Sequence, residues 1–247
     1  MNRRLNNLSE LINRSAINHE ISIVVFTGAG MSAESGISTF RDQNGLWENH
    51  KLEEVASIEA WHRNRALVLD FYNQRRRQLL QVKPNKGHEA LVEMEKGFPN
   101  LQVITQNVDD LHERAGQTNV LHLHGQLRTS RSTGPGEEVY DIDGSELTLG
   151  DTCPNGFQLR PNIVWFGEMV PAFEEALSLV SQCDLLIVVG TSLSVYPAAS
   201  LLDYVSAQTN ILLIDPNEPS FRGSKRIYHF PAKASRGLME LARLLMP

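Results

Sequence analysis

Cysteine is scarce. The 247-residue chain has two, Cys153 and Cys183, which excludes a disulfide framework. Positive charge is also short: 23 Lys and Arg stand against 29 Asp and Glu, a formal net charge of -6. A general nucleic-acid binder needs a basic face for its phosphate contacts, so that class is set aside. No apolar run approaches the roughly 20 residues of a membrane-spanning helix. The opening MNRRLNNLSELINRS is basic but lacks the apolar core of a signal peptide. Internal repeats and long low-complexity segments are missing too. The expectation is a protein of the reducing cytoplasm, a monomer, with neither nucleic acid nor membrane as partner.

What the chain does have is a series of short apolar runs. ISIVVFTGAG (21–30) is rich in β-branched residues and ends in glycines, as a buried parallel strand does. LQVITQN (101–107), NVLHLHG (119–125), NIVWFGE (162–168), DLLIVVGTS (184–192) and NILLIDPN (210–217) read the same way. Helical patterns fall around 88–97, 174–182 and 197–208, and in the C-terminal ASRGLMELARLL. Strands alternating with helices imply an α/β fold, a parallel sheet with helices on both faces. Two segments break the alternation. Residues 46–86 read as helices without a strand, and 126–160 are rich in Gly, Ser, Thr and Asp. Both are assigned to a smaller inserted module.

Polar residues gather at the strand ends, where ligands bind in an open parallel sheet. Gly28-Ala29-Gly30 follows the first strand and opens a predicted helix, so backbone N–H groups can approach a pyrophosphate. A tight turn would need those glycines even without a ligand. An ordinary dinucleotide fold carries an acidic residue about 20 positions on, ending a second strand. Here that distance falls in GLWENHKLEE, and Asp215 is the better candidate for a ribose hydroxyl. Gln106, Asn107 and Asp109 follow the second strand. A helix cap would account for one of them. His122 and His124 share a strand face, and His124, just before a glycine at the strand end, is the better general base. Gly190-Thr191-Ser192 forms a second small-residue turn.

Taken together, GAGMSAESGISTFRD, TQNVDDLHERAG, LHLHG, NIVWFGE, GTSLSVYPAAS and IDPN resemble, in order, the motifs of the sirtuins, NAD-dependent protein lysine deacylases. The likeness runs from about residue 21 to 235. It implies a Rossmann-like NAD-binding part (1–45, 87–125 and 161–247) and a module closing over the acyl-lysine (46–86 and 126–160). By the same resemblance, Gly28, Ala29, Gly30, Ser32 and Glu34 hold the cofactor, and Phe40 and Arg41 lie in a loop over the nicotinamide ribose. Gln106, Asn107 and Asp109 surround the nicotinamide, with Asn107 and Asp109 taking part in catalysis. Gly190, Thr191, Ser192, Asp215 and Asn217 serve the adenosine side, with Ala234 near the adenine. His124 matches the catalytic histidine. Val164, Trp165 and Phe166 match the strand that pairs with the acylated substrate protein and lines its tunnel.

Many sirtuins also hold a structural zinc with four cysteines. The matching region, 126–160, has Cys153 alone and no histidine, so no zinc is expected. A hairpin turning at Asp143-Gly144 is expected to staple the module instead.

FYNQRRRQLL (71–80) bears on the acyl group. Val68, Phe71, Tyr72 and Leu79 make an apolar stripe at helical spacing. Arg75 falls near its middle, Arg76 at its edge and Arg77 away from it. Arg75 therefore needs a partner, internal or external. Tyr72 and Arg75 are neighbours at i and i+3, and a guanidinium with a phenol suits a carboxylate. The resemblance sharpens this, because Y-x-x-R here marks the sirtuins that prefer succinyl and malonyl groups. Rival readings are a mono-ADP-ribosyltransferase and a non-catalytic NAD or ADP-ribose sensor.

Overall fold

The computed structural model describes residues 3–4, 20–38, 46–47, 50–193, 195–217 and 226–246. Its main sheet contains β1 (Arg3–Arg4), β2 (Ile23–Thr27), β5 (Leu101–Thr105), β6 (Val120–His122), β10 (Leu185–Val189), β11 (Asn210–Ile214) and β12 (Arg226–Phe230). All pairings are parallel, in the order β1-β12-β11-β10-β2-β5-β6. With β1 set aside, this is the doubly wound 3-2-1-4-5-6 order, and its direction reverses between β2 and β10.

The alternation in β2 explains its all-apolar sequence. Ile23 and Val25 enter one core, Val24 and Phe26 the other. The first core is closed by α5 (Lys86–Gly97) and α9 (Ala234–Leu245), through Leu91, Met94, Leu238 and Leu241. The second is closed by α7 (Phe173–Gln182) and α8 (Leu201–Tyr204), through Ala176, Val180, Leu201 and Leu202. Between β2 and β10 the chain backbones meet closely. A Cβ on Gly30 would lie 2.7 Å from the Cα of Gly190, and Gly190 itself has φ +61. Packing thus demands these glycines before any ligand is considered.

A third core lies apart from the sheet. It unites α2 (Leu52–Val55), α3 (Ile58–Arg63) and α4 (Arg65–Gln81) with a three-stranded antiparallel sheet. That sheet consists of β7 (Gly125–Ser132), β8 (Val139–Asp141) and β9 (Leu159–Ile163), in the order β8-β7-β9. Ser57 and Asn64 cap α3 and α4, their side chains accepting from the N–H groups of Ala60 and Leu67. Segment 46–86 is not wholly strandless: β3 (Leu46–Trp47) pairs with β4 (His50–Lys51).

Several expectations are corrected. NIVWFGE is no strand of the main sheet. Its first residues end β9, antiparallel to β7, and the chain then turns, with Gly167 at φ +90. The hairpin about Asp143-Gly144 does not form. β8 pairs with β7, Thr129 opposite Asp141, and the arm after Gly144 binds α4 instead. There the Leu147 N–H donates to Asn73 Oδ1 at 3.0 Å, and the Ser145 carbonyl accepts from Arg76 at 2.8 Å. β12 was hidden by its polar letters, RIYHF, although Ile227, Tyr228, His229 and Phe230 are buried. In place of a helix over 197–208, a 3-10 turn at Ala198–Ser200 leads into the short α8.

Candidate active site

The cleft opens where the sheet order reverses. A cavity of ≈ 660 Å³ runs from the turns after β2 and β10 to the third core. Every predicted site residue among those described lines it, from Gly28 through Asp109, His124 and Trp165 to Asp215, Asn217 and Ala234. Phe40 and Arg41 lie outside the described residues. The sequence did not single out the apolar walls, Leu52, Ala56, Val108, Leu127, Ile163 and Val170, nor the cation Lys233. Only their nearness to the motifs could have suggested them.

At the floor, three polar groups form one chain. Asn107 Nδ2 donates to Ser32 Oγ at 3.1 Å, and Ser32 Oγ donates to Asp109 Oδ2 at 2.9 Å. Asp109 Oδ1 also accepts from the Leu111 N–H at 3.2 Å, at the start of α6 (Leu111–Ala115). Burial pushes the Asp109 carboxyl up to about 6, against the opposing pull of the Ser32 and Leu111 bonds. Nearby, Gln106 Nε2 donates to Thr191 Oγ1 at 3.0 Å and ties the two strand-end turns together.

The two histidines part company. His122 lies between the Asn107 carbonyl, 3.0 Å from Nδ1, and Glu113 Oε1, 2.7 Å from Nε2. It supports the loop and does not line the cavity. His124 does line it, with Nδ1 3.1 Å from the Gln106 carbonyl. A carbonyl only accepts, so Nδ1 carries the hydrogen and Nε2 is the basic nitrogen. Desolvation lowers the His124 pKa and outweighs the Gln106 bond that raises it, so the ring is neutral at pH 7. Gly125 has to be glycine: φ is +78, and a Cβ would sit 2.0 Å from the Asn162 carbonyl oxygen.

On the adenosine side, Asp215 Oδ1 accepts from the Asn217 N–H at 2.8 Å. Glu34 reaches α9, its Oε2 accepting from the Ser235 N–H at 3.0 Å and its Oε1 from Ser235 Oγ at 2.8 Å. It therefore ties the start of α9, next to Ala234, to the turn after β2.

On the α4 side, Tyr72 and Arg75 line the cavity. The deeply buried arginine, however, is Arg76, with 0% exposure. Its Nε donates to the Leu127 carbonyl at 2.6 Å, and its Nη1 to Asn73 Oδ1 and the Ser145 carbonyl, each at 2.8 Å. Burial lowers its pKa to about 10. Arg77 stays at the surface, paired with Glu146 at 2.6 Å. Val164, Trp165 and Phe166 have their N–H groups already engaged, by the His124 carbonyl, Glu168 and the Ala56 carbonyl. Any pairing with a peptide at these three residues falls to their carbonyls.

No group of three or more His, Cys, Asp or Glu among the described residues could hold a metal ion. Cys153 is buried, and its Sγ accepts from Ser132 Oγ at 3.4 Å. The region 126–160 does not fit a four-ligand zinc site.

Comparison with known proteins gives a consistent picture. The Sir2 family matches residues 28–197. An NAD-dependent protein deacylase of Bacteroides thetaiotaomicron is 51% identical over 92% of this chain and 98% of its own. One from Helicobacter pylori is 51% identical over 89% of this chain and 93% of its own. A Sir2 homologue solved as an NAD complex superimposes with a TM-score of 0.87, at 37% identity, over 99% of this chain and 96% of that one. On the strength of its site, its sheet order and these matches, the chain belongs to the Sir2 family.

Proposed function

We propose that this NAD-dependent protein lysine deacylase removes succinyl and malonyl groups, with acetyl a further substrate. One observation carries the reading. Tyr72 and Arg75 stand together on α4 at the cavity wall, in the same cavity as His124. A guanidinium and a phenol present hydrogen-bond donors, which suits an acyl chain ending in a carboxylate. The main sheet is read as the NAD-binding part, and residues 46–86 and 126–160 as the module that encloses the acyl-lysine.

The residues present fit NAD: two glycine turns, the amides of Gln106 and Asn107, and the carboxyls of Asp109 and Asp215 all border the cavity. When bound there, NAD would supply an electrophilic ribose carbon, with nicotinamide as its leaving group, for the acyl oxygen. Asp109 and Asn107 orient the nicotinamide carboxamide, held in place by Ser32. His124 accepts a proton at Nε2 from a ribose hydroxyl, which activates that oxygen toward the acyl carbon. The apolar walls Val108, Leu127 and Ile163 keep water from the acyl chain. One water, taken up at the acyl carbon as the lysine nitrogen leaves, would complete the transfer, and nicotinamide, O-acyl-ADP-ribose and free lysine would be the products.

The test is mass spectrometry of succinyl-, malonyl- and acetyl-lysine peptides with and without NAD. Arg75→Met is expected to lower succinyl-peptide activity at least tenfold more than acetyl-peptide activity. Equal losses on the two peptides would overturn the reading.

A further inference from the structure

Glu168, at the cavity wall, is a hub. Its Oε1 accepts from Arg160 Nη1 at 2.7 Å and from Arg131 Nη2 at 2.9 Å. Its Oε2 accepts from Arg160 Nη2 at 2.9 Å and from the Trp165 N–H at 2.8 Å. Arg160 Nη2 donates as well to the Ile163 carbonyl at 3.0 Å. So pinned, the Arg160 guanidinium lies 3.5 Å from the centre of the Trp165 ring. The indole is thus held at its backbone and across its face.

Its Nε1–H donates to Tyr72 Oη at 2.9 Å. An indole N–H can only donate. The Tyr72 oxygen therefore accepts at this contact, and its own hydrogen is aimed elsewhere. Tyr72, Trp165 and Arg75 line the same cavity. Burial raises the Tyr72 pKa, so the hydroxyl keeps its hydrogen at any working pH.

We propose that Arg160 and Glu168 are positioning residues for acyl selection, holding Trp165 so that its indole N–H commits the Tyr72 hydroxyl to donate toward the acyl terminus. Beside the Arg75 guanidinium, that end of the pocket then offers donors, which an ionised carboxylate accepts and a methyl group does not. The inference rests on the acid-selective reading above.

The experiment compares kcat and KM for succinyl- and acetyl-lysine peptides in the wild type, Trp165→Phe and Arg160→Met. A neutral control peptide ends its four-carbon acyl group in an amide. Wild-type enzyme is expected to prefer the acid over both the acetyl and the amide-terminated peptide. Each variant is expected to lower the succinyl-to-acetyl ratio of kcat/KM about tenfold, through succinyl KM. Because the readout is a ratio, a loss common to both peptides cancels. If Arg160→Met fails to fold, Trp165→Phe, which keeps an aromatic ring, carries the test. Variants that keep the wild-type ratio would overturn the relay and leave acid selection standing. A wild type without acid preference would overturn both.

Discussion

Asp109 illustrates the tension between a working site and a stable one. Its folded pKa of about 6 lies above the ordinary 3.8, so burial imposes no penalty below pH 3.8, one that grows between 3.8 and 6, and a constant one above that. At pH 8 the penalty is up to about 3 kcal/mol, at 1.36 kcal/mol per unit. Asp109→Asn is therefore expected to be more stable than the wild type at pH 8 and equally stable near pH 3. Urea titrations at the two pH values measure this, and the variant should release nicotinamide far more slowly. His124 gives the complementary expectation. Its pKa is lowered from 6.5, so the acid limb of kcat/KM should fall below pH 6.5. A limb centred above that value would remove His124 as the base. That both residues border the cavity was legible from their strand-end positions. Their charge states were not, since those depend on burial and on the Gln106 carbonyl and Ser32 hydroxyl, which meet them only in the fold.

At the scale of one helix, α4 shows how far periodicity reaches. Centring the stripe on Val68, Phe71, Tyr72 and Leu79 put Arg75 in the middle. The buried arc also takes in Leu69, Asn73 and Arg76, which moves its centre toward Arg76. Asn73 and Arg76 could not be foreseen as buried because they bond each other and backbone groups of β7 and of the arm after Gly144, far along the chain, not apolar side chains. Arg75 is left at the flank that faces the cavity. Arg76→Met would strip the Leu127 and Ser145 carbonyls of their donor, at a loss of about 2–4 kcal/mol. Arg77→Met, at a solvent-screened ion pair, should change stability by less than about 0.5 kcal/mol. Chemical denaturation of the two variants separates these outcomes.

Across the whole molecule, the alternation of strands and helices announced the doubly wound sheet. What the apolar runs could not give was the destination of NIVWFGE, drawn into the small sheet by Gly125 and β7, or the presence of β12 beneath polar letters. The hairpin expected at Asp143-Gly144 failed because α4 captured its second arm. The small module is held by that capture, by the β8-β7-β9 ladder and by Gln158, whose Nε2 donates to the Thr148 and Asp151 carbonyls at 3.0 Å. A chelator in excess is therefore expected to leave the melting temperature unchanged. A drop of several degrees, reversed by zinc, would contradict this account.

The reversal of strand order between β2 and β10 also sets a timetable for synthesis. β2 sits inside the sheet, between β10 and β5, and the tie between Ser22 N–H and Asp184 Oδ2 spans a separation of 162 residues. At 5–20 residues per second, the ribosome takes roughly 8–30 s to supply that partner. For that time the β2 edge bound for β10 is an unpaired row of backbone groups flanked by Ile, Val and Phe side chains. The nascent chain is then most open to aggregation, and a holding chaperone has its clearest target in the strand that later leads into the glycine turn.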